Sequence, residues 1–405
     1  SEHQAAGDGC DDGRTGGGMT KIERWDVEDD AFWNSTGKRV ANRNLWISIP
    51  NLLCGFAVWL YWGMLAKFIQ KVHFASPADA RLFDFTFMND GNVYADNEYR
   101  ALMFTLPAVA GLAGATLRIP NSFMIAICGG RNVKFMTTLL LILPALGAGF
   151  ALQNPDVPFY QLVILAALSG VGGGAFASSM SNISFFFPKR MQGLSLGLNA
   201  GLGNLGVSVM QFLLPWIITF GAFGAMGGEG YAVGEKTMWI QNAGLVWVPI
   251  LAFFLILAFF FMDNLPQHKC GPTPVAVGKY LWLTMLGYVG ATVAILLLIL
   301  PWGGFPQLLK IFVILFVAVG VTLLCMRFFT PKETKENLVH QFAIFRNKHN
   351  WIMTWLYTMT FGSFIGYANA FPKLIDDVFG VVRVGADGEV LAQAIANPNA
   401  PHSSS

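Results

Sequence analysis

One side chain in this sequence has the chemistry to hold a small anion where water is scarce: Arg118, in the segment GLAGATLRIPNSF. It lies well away from both ends of an apolar run. An arginine at bilayer depth costs at least about 2.5 kcal/mol, so it normally faces the protein interior or a wet cavity. An unpaired interior cation invites an anion. The competing reading is an arginine satisfied by helix-end carbonyls or snorkelling towards the interface, as Lys67 and Lys373 near span ends are expected to do. No Asp, Glu or His sits centrally in a span, and those are the groups that proton relays use. A fixed cation without a titratable neighbour suits anion exchange or uniport better than proton coupling. Phe176 in GGGAFASS, with Tyr357 and Phe361 in WLYTMTFGSF, can sandwich a planar anion while Arg118 takes its oxygens bidentately. For any one of these rings, burial against lipid or core is the plainer reading.

Glycines form the second pattern. Gly193, Gly197 and Gly201 in GLSLGLNAGLGNLGVSVMQ recur every four residues, which puts small groups on one helix face and lets another helix backbone approach. Tight packing alone also explains that spacing. The GLGNLG stretch matches the dinucleotide fingerprint, but no strand precedes it and no acidic residue follows about 20 residues on, so it is rejected.

These residues must be placed by membrane spans. Residues AVILMFWYC make up 54% of the 405 positions and DEKR 12%, against roughly one quarter charged in a soluble domain. Nine apolar runs of helical length lie at about 47–70, 101–127, 135–153, 159–187, 193–220, 241–262, 280–301, 309–328 and 351–374. They are too long and continuous for the strands of a β-barrel. Lys38, Arg39, Arg43, Arg131, Lys134, Lys189, Arg190, Lys279, Arg327 and Lys348 flank the spans on one side, which predicts a cytoplasmic N-terminus. The net charge of +2 and the lack of a basic block exclude nucleic acid as a partner. The five cysteines show no metal-ligand spacing and read as reduced thiols. No cofactor site, metal site or catalytic pair is expected. No cleavable signal peptide is read, and residues 1–18, before Met19, read as upstream read-through.

Three segments, LRIPNSFMIAICGGRN (117–132), SMSNISFFFPKRMQGLSLGLNAGLGNLGVSVMQ (179–211) and WIMTWLYTMTFGSFIGY (351–367), resemble the nitrate/nitrite porter family of the major facilitator superfamily. The second is close to the family's glycine-rich signature, with Ala200 where a glycine is usual. The resemblance implies an all-α polytopic fold: a cytoplasmic segment (1–44), an N-terminal six-helix half (45–265), an inserted helix pair (279–329), a loop (330–350), the first helix of a C-terminal half (351–375) and a polar tail (376–405). It also implies a bacterial inner membrane, nitrate and nitrite as partners beside the lipid bilayer, and exchange by alternating access. Arg118 would bind the anion, Phe176 and Phe361 would flank it, and Asn204 and Tyr357 would line the pocket. Gly193, Gly197, Gly201, Gly203 and Gly206 would be the signature-helix glycines. The family's second half should bring another arginine, so the sequence is expected to hold one half of a site. A nitrate-binding membrane sensor, or a fragment that does not transport, is the other reading.

Overall fold

The computed structural model describes residues 22–396 apart from 23, 78, 87–90, 269, 333–334, 336–345, 380 and 385–389. The segment expected to be read-through and most of the loop at 330–350 therefore lie outside the described residues. The chain is an all-α polytopic membrane protein. Among the described residues, eight helical segments are long and apolar enough to cross a membrane. The main helices are α1 (Lys38–Leu60), α2 (Trp62–Ala75), α3 (Asp96–Met103), α4 (Thr105–Cys128), α5 (Gly130–Ala151), α6 (Phe159–Phe186), α7 (Lys189–Ile217), α8 (Trp247–Phe261), α9 (Thr273–Ile299), α10 (Gln307–Phe329) and α11 (Lys348–Phe379). Two antiparallel hairpins, β1 (Tyr231–Val233) with β2 (Lys236–Met238) and β3 (Val381–Val384) with β4 (Val390–Ala396), and a few short helical turns accompany them. Neither hairpin is among the expected elements: the strands of the first are three residues each, too short to carry a pattern that stands out from a loop, and the second falls in the stretch expected to be a polar tail.

The first span is longer than its apolar run. Helix continues from α1 into α2 across Tyr61, whose N–H bonds Ala57 O (3.0 Å) and whose carbonyl accepts from Leu65 (2.9 Å). Backbone groups cannot go unpaired in lipid, so the helix extends past the apolar stretch until water or polar side chains take over. The same extension corrects the placement of two cations. Arg131 and Lys134, counted as loop residues, sit in the first turns of α5 and are each 2% exposed. Lys67, expected to snorkel, is 5% exposed, and the side chain of Lys373 lies outside the described residues.

The helices of the first six spans pack around one core containing Leu52, Phe56, Trp59, Trp62, Ala113 and Trp247. The tightest pairing is α4 against α6, where Gly170 meets Ala113 and a Cβ on Gly174 would stand 2.7 Å from the Asn121 amide. The pair α9 and α10 is docked rather than tethered. Gly287 of α9 fits against Leu117 and Pro120 of α4, and Tyr288 donates to Leu168 O (2.8 Å) on α6. Outward faces are strongly apolar, with Phe316 on α10 75% exposed, as suits lipid and not water.

At the N-terminal end of α1 the bundle is tied by Asp263, which takes Arg43 Nη2 and Asn44 Nδ2, each at 2.7 Å. Next to it, Gly129 turns α4 into α5 at a positive φ of 80°, and Arg131 N–H bonds Asn264 Oδ1 (3.0 Å). Asp263→Ala removes the acceptor of two partly buried donors, one of them charged. A loss of about 2 kcal/mol is expected, read as a lower thermal unfolding midpoint in detergent. Of the cysteines, Cys54, Cys128 and Cys325 are free thiols.

Candidate functional site

Arg118 projects from the middle of α4, two residues before Pro120. Proline has no N–H for the carbonyl one turn earlier, so the helix is locally loosened beside the arginine. The glycine run of α6 lies opposite. A Cβ on Gly173 would stand 2.5 Å from Trp59 and 2.8 Å from Gly114 Cα. With no side chain there, α6 comes close enough for Arg118 Nε to donate to Gly173 O (3.1 Å). That carbonyl fixes the base of the guanidinium, in part as the bland reading of a carbonyl-satisfied arginine required. The outer end is not satisfied. Nη1 reaches the Tyr357 hydroxyl only at 3.5 Å, and Nη2 is buried with no hydrogen-bond partner among the described residues. No carboxylate pairs with Arg118 among the described residues.

Three rings surround this end. The guanidinium carbon is 4.6 Å from the Phe361 ring centre, 5.3 Å from Phe176 and 5.6 Å from Trp59. Phe361 stacks on Tyr357 (4.9 Å, 11°) and on Phe176 (5.2 Å, 27°). The structure therefore brings together four of the residues singled out in the sequence: Arg118, Phe176, Tyr357 and Phe361. It does so with the rings closed on one another. A planar anion held between two ring faces needs a centroid separation of about 7 Å, two van der Waals thicknesses, so the Phe176–Phe361 pair must part by about 2 Å to admit one. Asn204 is not joined to this cluster by any hydrogen bond among the described residues, and its Oδ1 is buried without a partner.

Phe56 and Trp59 were not read as site residues. Phe56 contacts both Phe176 (5.8 Å) and Phe361 (6.2 Å), while Trp59 donates to Ala110 O (2.6 Å) and lies between α1 and α4. Both stand in an unbroken apolar run, where one aromatic looks like another.

The signature-helix glycines divide into two sets. A Cβ on Gly203 would stand 2.6 Å from Leu52, and one on Gly206 would collide with Leu53 O, so these two admit α1 against α7. Gly193, Gly197 and Gly201, the regular stripe, have nothing within 4 Å among the described residues. Close approach thus occurs at the irregularly spaced pair and not at the stripe where the spacing argument placed it.

No family model matches the sequence. Curated relatives do. The chain is 39% identical over 272 residues to the nitrate/nitrite transporter NarU of Salmonella typhimurium, covering 66% of this chain and 54% of that protein. It is 34% identical over 366 residues to the probable nitrate/nitrite antiporter NarK2 of Thermus thermophilus, covering 89% of this chain and 62% of that protein. Over most of its length the chain is similar to proteins named as nitrate/nitrite transporters. A probable nitrate transporter, NarT of Staphylococcus epidermidis, is 31% identical over a shorter match of 163 residues. The chain spans between 54% and 62% of the length of the first two of these relatives. The Arg118 cluster is built from α1, α4, α6 and α11, so it joins the early helices of the chain to the helix that follows α10.

Proposed function

We propose that the protein exchanges nitrate for nitrite across a membrane by alternating access, with Arg118 as an anion-binding residue. The observation that carries this reading is the buried Nη2 of Arg118, which has no acceptor beside aromatic faces suited to a flat anion. A neutral ligand would leave that charge uncompensated, whereas a planar oxyanion supplies the counter-charge and fits the fork of donors. Antiport is also the activity in the name of the Thermus thermophilus relative. The ring pair closed over the site assigns a role to α11. Its movement away from α6 would open the slot, in keeping with one helical body rocking against another around a midplane site. We place 45–265 as the N-terminal half, 279–329 as the inserted pair and 351–375 as the start of the second half, whose own arginine would complete the site. The distribution of Lys and Arg supports an N-terminus inside, and the resemblance to nitrate/nitrite porters supports a bacterial inner membrane.

The experiment is counterflow. Proteoliposomes loaded with nitrite should release it when nitrate is added outside, and not when sulfate is added. Equal release without any outer anion would make the protein a uniporter. A matching change in internal pH would make it a proton-coupled carrier and overturn exchange.

A further inference from the structure

A second cationic feature lies well away from Arg118. Between α2, the end of α7 and the β1–β2 hairpin is a cavity of about 620 Å³, lined by Lys67, Lys71 and Lys236 together with Thr219, Thr237 and Trp239. No carboxylate is among its described lining residues. Lys67 is buried and makes contacts of its own, so the exposed Lys71 and Lys236 carry the argument. The hairpin that presents Lys236 is anchored: Trp239 N–H donates to Ile218 O (2.7 Å) at the end of α7, and the Tyr231 hydroxyl donates to Leu152 O (2.8 Å).

This cavity opens at the C-terminal ends of the first and fifth spans, the membrane face opposite the N-terminus. With the N-terminus inside, that is the face on which Lys and Arg are normally sparse. Three lysines gathered around one cavity there call for a reason. Position supplies one. Lys67 and Lys71 follow Phe56, Leu60 and Met64 along one face of the continuous α1–α2 helix, at steps of three and four residues. Phe56 touches Phe176 and Phe361 of the Arg118 cluster. From Phe56 to Lys67 is eleven residues, about 17 Å of helix. The cavity is thus one helix face removed from the proposed anion site. Clefts lined by a single sign of charge raise the local concentration of counter-ions and their arrival rates by about 10 to 1,000-fold.

We infer that this cavity is a capture vestibule for small monovalent oxyanions, which gathers them on the face away from the N-terminus before they reach Arg118. This rests on the anion-site reading of Arg118, so the test has one arm that does not involve that residue. In the full chain in nanodiscs, Thr237→Cys places a thiol in the cavity wall. Its rates with the sulfonatoethyl (anionic) and trimethylammonium-ethyl (cationic) methanethiosulfonates are each divided by the reagent's rate with free cysteine, after subtracting the chain without the new thiol. At low ionic strength the anionic reagent should be favoured by about tenfold. The preference should vanish in Lys71→Gln/Lys236→Gln, and in about 0.5 M salt, where screening acts within a few Å. Equal rates, or a preference for the cation, would overturn the vestibule and leave Arg118 untouched. The second arm is nitrate exchange from each face. The double Gln variant should raise KM about tenfold for nitrate entering from the cavity face, with kcat and the opposite face unchanged. An unchanged KM from the cavity face would mean that the cavity is off the anion path, and would also overturn the proposal. Loss of exchange in Arg118 variants with the thiol preference intact would separate the two sites.

Discussion

Arg118→Ala is expected to weaken nitrate binding by roughly 100-fold or more and to bring counterflow to the level of empty liposomes. The magnitude follows from what the guanidinium end offers. Two donor nitrogens, one buried without an acceptor and one held only by a 3.5 Å contact to Tyr357, can each give a charge-assisted hydrogen bond worth about 1.5 to 3 kcal/mol. Together these correspond to roughly two to four powers of ten in affinity. Arg118→Lys is the sharper variant. It keeps the charge but loses the planar fork and the Nε that bonds Gly173 O (3.1 Å), so it should recover less than about a tenth of the lost affinity. A lysine variant that exchanges nitrate as well as the parent would reduce Arg118 to a diffuse positive charge and sink the bidentate reading. Tyr357→Phe provides scale: the hydroxyl is at the far end of a long contact, so about a threefold to tenfold effect is expected. Folding is monitored by the thermal unfolding midpoint, since the arginine also touches three rings.

Much of this site was legible in the sequence, for a physical reason. A charged residue inside an apolar run is costly, so Arg118 stands out against its surroundings, and so do long apolar runs against charged loops. Phe176, Tyr357 and Phe361 came from motif resemblance, and the fold places them around the guanidinium. What could not be read was any property that depends on which face a helix turns inwards. Lys134 looked like a loop cation because it follows Gly129 and Gly130 closely, yet it is buried in α5. Phe56 and Trp59 differ in no visible way from rings that face lipid, such as Phe316. The closed stacking of Phe176 on Phe361 is a property of one conformation, and a sequence that serves several conformations does not encode one of them alone.

Glycine is the residue type for which sequence spacing and packing disagree most, and this gives the second large effect. Gly206→Ala is expected to be severely destabilising, because the new methyl would collide with the Leu53 carbonyl of α1. A side chain could swing away from such a contact, but a backbone carbonyl committed to its own helix cannot, so α7 must move off α1 along its length. Overpacking of this kind costs typically about 1 to 3 kcal/mol, and more where backbone is the obstacle. Gly197→Ala adds the same methyl on the same helix, at a position with nothing within 4 Å among the described residues. Helix propensity there favours alanine by roughly 0.5 to 1 kcal/mol, so the unfolding midpoint should stay level or rise. Thermal unfolding of the two variants side by side isolates packing from propensity, since both make the same chemical change. If Gly197→Ala were the more damaging, the stripe would be in contact with another element and the assignment of the two glycine sets would be reversed. If both are stable as expected of Gly197 alone, α7 can shift away from α1 cheaply, and the close approach at Gly203 and Gly206 would not be what holds the two helices together. A third variant, Gly197→Leu, asks what the open stripe is for. Its folding should be unaffected, whereas counterflow should fall if a second helical body slides over that face during exchange and should persist if the stripe faces only lipid.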